Sequence, residues 1–278
     1  MFNGADAAIN AIFYSFGDRD EIFLTTNPTF GYYSPCSEIQ GMRKITCAYE
    51  GENFLFPTKR FKEKIIKYKP KLIFICNPNN PTGTVLSAQE IIKLANLNKK
   101  SLIVVDELYE KFNGDSLLPV IDFKKIKNIV VIQSLSKTAG LAGLRIGFAF
   151  GHKSIIQYIN KVTGPYDVNS FAVTAALAAL KDKSYIDDYV SEVKKARVLI
   201  EKKFESIAIR KHFGGGNYFL IWPKKNPEIL SRQMREKGIL IREMKNKKDI
   251  ENSIRVSIGT QEQMSLFWST YKKLDLNN

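Results

Sequence analysis

Between residues 102 and 137 the chain reads Leu102-Ile103-Val104-Val105-Asp106-Glu107-Leu108-Tyr109 and, after a polar interval, Ile129-Val130-Val131-Ile132-Gln133-Ser134-Leu135-Ser136-Lys137. Each half is an unbroken apolar run that ends on polar, chemically versatile side chains. Ile, Val and Leu in succession, without polar alternation, predict strands buried on both faces. Two similar runs lie upstream, at Ile22–Leu24 and Lys71–Cys76, and Leu144–Phe150 predicts a further strand. Amphipathic segments separate them at Ala7–Phe16, Tyr33–Gln40, Phe61–Tyr68 and Ala88–Asn96, with another helix from about Ser154. Strands alternating with helices predict βαβ units, hence an α/β fold with a mainly parallel sheet and helices on both faces.

The C-terminal part has a different rhythm. Ser170–Leu180 is a helix rich in small residues, and Tyr185–Phe204 a long one with Val190, Val193, Val198 and Leu199 as its apolar positions. Strands follow near Asn217–Trp222, Ile239–Ile241 and Ile254–Ser257, with helices at Pro227–Glu236 and Gln261–Leu274. That order predicts a smaller α+β domain. The expected division is a large domain over residues 1–183 and a small one over 184–278.

Composition narrows the function classes. The chain has 278 residues, 44% hydrophobic and 25% charged, enough for a sizeable core. No apolar stretch is long enough for a membrane span, and Met1-Phe2-Asn3-Gly4-Ala5-Asp6 lacks the basic start of a signal peptide. Cys36, Cys47 and Cys76 are odd in number and widely spaced, as expected of reduced thiols in a cytoplasmic protein. His152 and His212 are the only histidines, read as surface or loop residues, and no metal site is expected. The net charge of +14 raises nucleic acid as a partner. The lysines, however, are interleaved with acids and apolar positions and accompany no nucleic-acid motif, so a solvated basic surface is expected instead.

In open parallel sheets ligands sit beyond the carboxyl ends of the strands. Lys71–Cys76 is followed by Asn77-Pro78-Asn79-Asn80-Pro81-Thr82-Gly83, the next strand by Asp106 and Tyr109, and the next by Ser134, Ser136 and Lys137, with Arg145 beyond. One sheet edge thus gathers an amide, a carboxylate, a phenol, hydroxyls, an amine and a guanidinium. A lysine can link covalently to an aldehyde cofactor, and pyridoxal phosphate needs a carboxylate beside its ring nitrogen. Its phosphate needs hydroxyls, an arginine and free helix-terminal amides, which Asn3-Gly4-Ala5-Asp6 ahead of an apolar helix can supply. Taken singly, each of these residues also has a bland reading. Asp106 could be a helix cap, the Asn-Pro run a turn, and Tyr109 and Phe30 packing aromatics.

Seen together, Asn3–Asp6, Asn27-Pro28-Thr29-Phe30, Asn77–Gly83, Asp106–Tyr109, Ser134–Lys137, Ala142–Arg145 and Ile254–Thr260 occur in the order of a known family. The chain resembles the fold-type I pyridoxal-phosphate aminotransferases of class I/II, and among them is most similar to histidinol-phosphate aminotransferases. The resemblance implies that Lys137 bears the covalent link to pyridoxal 5'-phosphate and then acts as general base. Asp106 would keep the ring nitrogen protonated, and Asn80 and Tyr109 would bond the ring 3-oxygen. Ser134, Ser136 and Arg145, with the Gly4-Ala5-Asp6 amides, would hold the phosphate. Phe30 stands where the family usually stacks a tyrosine on the ring. Arg255 would grip the substrate α-carboxylate with two prongs, Asn80 assisting. Arg242 resembles an arginine that contacts a substrate phosphate.

The implied activity is transfer of an amino group between glutamate or 2-oxoglutarate and a second amino acid or phosphorylated amine. The alternatives are a decarboxylase of a phosphorylated amino acid and, from another class, a truncated non-catalytic binding module. The resemblance also implies small-molecule amino and 2-oxo acid substrates and a homodimer. The family's chains usually begin several dozen residues earlier. An N-terminal segment, including a partner tyrosine for the cofactor phosphate, is therefore expected to be missing here.

Overall fold

The computed structural model describes residues 1–277. In chain order its elements are β1 (Phe2–Asn3), α1 (Gly4–Phe16), β2 (Ile22–Asn27), α2 (Tyr33–Ile39), β3 (Arg43–Ala48), α3 (Thr58–Tyr68), β4 (Leu72–Cys76), α4 (Ala88–Leu97), β5 (Leu102–Asp106), α5 (Glu110–Asn113), β6 (Ile129–Ser134) and β7 (Ile146–Gly151). After them come α6 (Lys153–Asn160), α7 (Ser170–Lys181), α8 (Lys183–Glu205), β8 (Lys211–Phe213), β9 (Tyr218–Ile221), α9 (Pro227–Glu236), β10 (Arg242–Glu243), β11 (Ile254–Ser257) and α10 (Gln261–Tyr271).

The first seven strands form one sheet in the order β1-β7-β6-β5-β4-β2-β3. β3, β2, β4, β5 and β6 run parallel; β7 is antiparallel to β6, and β1 pairs antiparallel with β7. The central strands are buried on both faces because alternate residues serve different layers. Phe74, Val104 and Ile132 pack with Ile9, Ile12 and Phe13 of α1 on one side. Ile73, Ile75, Val105 and Val131 pack with Phe61 and Ile65 of α3 and Ile91 and Leu94 of α4 on the other. Burying a single such side chain stabilises by about 1.5–3 kcal/mol, so this double-sided core is what fixes the sheet.

The second sheet, ordered β10-β11-β9-β8, is antiparallel throughout. Val193, Ala196 and Ile200 of α8 share a buried cluster with Phe219 and Ile221 of β9 and with Met264 and Phe267 of α10. That cluster also takes in Tyr109, Leu135 and Ile146, so the second sheet's core is continuous with the edge of the first where the candidate residues lie.

Three expectations are corrected. Ile239–Ile241 is not a strand: the pairing begins one residue later, with Arg242 opposite Arg255 and Glu243 opposite Ile254. An edge strand needs one partner and no continuous apolar run, so hydropathy misplaced it. Leu144 belongs to a short 3₁₀ turn at Ala142–Leu144, and β7 starts at Ile146. His212 is half-buried and not in a loop. It lies in β8, where a ring nitrogen bonds the Thr82 carbonyl at 2.7 Å, while His152, itself half-buried, caps α6.

Candidate active site

Several candidate side chains stand where a central strand runs out. Asp106 ends β5, Asn80 lies in the turn after β4, and Ser136 and Lys137 follow β6. The order reversal between β2 and β4 opens a crevice at these strand ends, since the chain leaves β2 toward β3 and leaves β4 toward β5. A cavity of about 200 Å³ lies there, lined by Ala5, Asp6, Phe30, Asn80, Asp106, Tyr109, Ser136, Lys137, Arg145, Arg242 and Arg255 among others. Residues up to 250 positions apart in the chain thus face one space. Two expected residues, Gly4 and Ser134, do not line it.

Beside the cavity, no side chain caps α1 among the described residues, so its first amides are free. Gly4 has φ +81°, and a Cβ there would meet the Arg145 guanidinium 2.4 Å away. Gly147 lets β7 approach equally closely, since its Cβ would lie 2.4 Å from the Gly4 carbonyl carbon. Arg145 donates from Nη2 to Asp6 Oδ2 at 2.9 Å. Ser134 Oγ donates to the Ile146 carbonyl at 2.8 Å and lies 2.7 Å from Ser136 Oγ, which pins the loop that presents Lys137.

Asp106, which also lines the cavity, is 2% exposed. Burial pushes its carboxyl up to about 6, opposed by hydrogen bonds from Tyr33 and the Leu108 amide and by the Lys137 charge. Asp106 is not a helix cap: α5 begins at Glu110, with Tyr109 preceding it. Glu107, beside it in sequence, points elsewhere and anchors the loop through Ser116, the Leu117 amide and Gln133. Lys137 Nζ lies 5.6 Å from the centre of the Tyr109 ring. Burial, and next the Arg255 charge, hold the lysine below its ordinary value, which favours the free amine a nucleophile needs.

Arg255, in β11, reaches across from the second sheet. Its Nη1 donates to Asn80 Oδ1 at 2.6 Å, its guanidinium lies 5.3 Å from the centre of the Tyr218 ring, and its buried Nε has no partner. No carboxylate pairs with Arg255 or Arg242 among the described residues. A partly buried arginine with spare donors is a receptor for an anion. Two contributors went unnoticed in the sequence. Tyr218 donates to the Asn79 carbonyl at 2.6 Å and sets its ring at 87° to Tyr109, 5.0 Å between centres. Tyr33 donates to Asp106 Oδ2 at 2.6 Å. Neither has a local signal; both act through contacts remote in sequence.

The family model for aminotransferase class I and II matches residues 1–268. The chain belongs to the class I and II aminotransferases. Its members transfer amino groups with pyridoxal phosphate, so this aminotransferase is a pyridoxal-phosphate-dependent enzyme. It is 34% identical over 260 residues to the histidinol-phosphate aminotransferase of Caldanaerobacter subterraneus subsp. tengcongensis, covering 94% of this chain and 73% of that one. Its fold is similar to the crystal structure of the histidinol-phosphate aminotransferase from Clostridium acetobutylicum, with a TM-score of 0.89 at 25% identity, over 100% of this chain and 83% of that one. It is also similar to the L-threonine-O-3-phosphate decarboxylase from Porphyromonas gingivalis, with a TM-score of 0.84 at 25% identity, over 98% and 82%. The aminotransferase's cavity fits the cofactor on its own chemistry. Uncapped amides, Ser136 and Arg145 suit a phosphate, Asp106 a ring cation, and Lys137 an aldehyde. No helix among the described residues is long and apolar enough to cross a membrane.

Proposed function

We propose that the chain moves an amino group between glutamate or 2-oxoglutarate and a second amino acid or phosphorylated amine, in the manner of a histidinol-phosphate aminotransferase. The observation that carries this is the meeting of Lys137, Asp106, Arg255 and Arg145 on one cavity. Pyridoxal phosphate, when bound, supplies an aldehyde that captures the substrate amine and a ring that draws electrons from the adjacent carbon. The protein does the rest. The α1 amides of Ala5 and Asp6, Ser136 and Arg145 hold the phosphate, and Ser134 fixes Ser136. Asp106 holds a proton on the ring nitrogen. Phe30, Asn80 and Tyr109 line the same cavity, where Phe30 would offer its aromatic face to the ring and Asn80 and Tyr109 would serve the ring oxygen. Arg255 grips the substrate carboxylate, and Lys137 Nζ takes the proton from the substrate α-carbon. Arg242, which has no acidic partner among the described residues, suits a second anionic group such as a phosphate.

Stopped-flow mixing of the loaded protein with L-glutamate tests the reading. Release of 2-oxoglutarate in a single turnover supports it, and its absence with every amino donor overturns it. The similarity to a phosphothreonine decarboxylase favours one second reading, loss of carbon dioxide from a phosphorylated amino acid; trapped carbon dioxide without keto acid would select it. The same proposal includes a homodimer, supported by the exposed apolar side chains of Tyr166, Phe171, Leu177, Leu180 and Tyr185. It includes a cytoplasmic location, supported by three buried cysteines that form no disulfide. It also divides the chain at residues 183 and 184, at the start of α8.

A further inference from the structure

Asp106 does not stand alone behind the cavity. Tyr33 opens α2 and is 1% exposed. Its ring is wedged against Phe74, 4.9 Å between centres at 49°, and meets the Phe30 ring edge-on at 5.5 Å and 83°. From that position its hydroxyl donates to Asp106 Oδ2 at 2.6 Å, a short, fully buried bond. The other carboxylate oxygen receives a longer bond, 3.3 Å, from the Leu108 amide. Asp106 lines the cavity, and Tyr33 does not.

We propose that Tyr33 is a positioning residue for the cofactor's ring nitrogen, acting through Asp106. The inference rests on the reading above that Asp106 meets that nitrogen. A buried carboxyl without donors takes up a proton, and a neutral carboxyl cannot hold a cationic ring. A donor on Oδ2 stabilises the charged form and fixes the rotamer, which leaves Oδ1 with capacity toward the cavity. The other titratable groups around Asp106 do not duplicate this role. Cys76, from β4, is itself a buried thiol that favours the neutral form. Asp6, from α1, is a like charge that opposes ionisation of Asp106, and Tyr109, from the loop after β5, has its own ionisation suppressed by burial. Lys137 favours the charged carboxylate but is committed to the aldehyde. Tyr33 is therefore the one neutral side chain among the described residues that donates to Asp106, beside the longer bond from the Leu108 amide.

The test compares wild type, Tyr33→Phe and Tyr33→His, each loaded with pyridoxal phosphate labelled with nitrogen-15 in the ring. The ring-nitrogen chemical shift is followed against pH, and the dissociation constant is measured by dialysis. Phe keeps the ring volume and removes the donor; His restores a ring N–H. In Tyr33→Phe the protonated-nitrogen signal should be lost at lower pH than in wild type, with cofactor affinity weakened about tenfold. Tyr33→His should recover part of both. A Tyr33→Phe variant whose nitrogen titrates as wild type does overturns the inference, whatever its stability. If Phe does not fold well enough to load, His decides alone, and a His variant with a wholly unprotonated ring at neutral pH overturns it. A wild type whose bound cofactor has an unprotonated ring nitrogen removes the underlying reading of Asp106, an outcome distinct from a change confined to the variants.

Discussion

The two ends of the active-site cavity are built on opposite principles. At the Asp106 end, set by the parallel sheet, the carboxylate is buried and both its oxygens have donors, one from Tyr33 and one from the Leu108 amide. At the Arg255 end, set by the second sheet, a buried guanidinium nitrogen has no partner and Arg242 no carboxylate among the described residues. One end is finished before any substrate arrives; the other is left with spare donors. A cofactor that stays through many turnovers can be met by a rigid, satisfied site, whereas substrates that alternate need a receptor that pairs only when they bind.

The largest effect should come from the residue between the two ends. Lys137→Ala removes both the covalent link and the proton carrier, and single-turnover amino transfer from glutamate should fall by about 10⁴-fold or more. A variant that retained the half-reaction would dissolve the distinction between the ends. The next effect concerns the buried end alone. Asp106 is raised from 3.8 to about 6 in the folded protein. A carboxyl raised in this way contributes stability below its unfolded value, and that contribution is lost as pH rises through about 6. Protein stripped of cofactor should therefore lose roughly 3 kcal/mol at this group between about pH 4 and 7. A bound ring cation offsets that loss. In denaturant titrations the stability gap between loaded and stripped protein should widen as pH rises; a gap that narrows would mean that no cation pairs with Asp106.

Arg255→Lys probes the open end. A single ammonium cannot reproduce the two-pronged grip, so kcat/KM for glutamate should drop about 30-fold while the affinity for pyridoxal phosphate stays within about twofold. Equal losses in both would show that the ends are not independent. The smallest effect is expected at the phosphate. Gly4→Ala forces a residue at φ +81° and pushes against Arg145. Cofactor affinity measured by dialysis should weaken about tenfold or less, with the fold intact by circular dichroism.

How much of this was written in local sequence follows the same divide. β4, β5 and β6 were legible because burial on both faces demands unbroken Ile, Val and Leu, and their C-terminal residues named Asn80, Asp106, Ser136 and Lys137. β3 escaped notice. It pairs on one side only, so Arg43 and Lys44 can stay exposed, and its composition reads as loop. β10 was placed over Ile239–Ile241 because hydropathy favoured those residues, yet its position is set by pairing with β11. The family order of motifs supplied Arg255, and a separate likeness to a phosphate-contacting arginine supplied Arg242; nothing in their own neighbourhoods marks them. Tyr33 and Tyr218 were invisible for a related reason. An aromatic at the start of a helix or within a strand is ordinary in sequence, and each gains meaning from a single hydrogen bond to a residue 73 or 139 positions away.

The most direct measurement is the visible absorption spectrum of the purified chain loaded with pyridoxal phosphate, before and after L-glutamate and then after 2-oxoglutarate. The band of lysine-bound cofactor should appear on loading, vanish with glutamate and return with 2-oxoglutarate. A band that glutamate leaves unchanged would contradict amino transfer from glutamate, and the absence of any band in the loaded wild type would contradict the assignment of Lys137 itself.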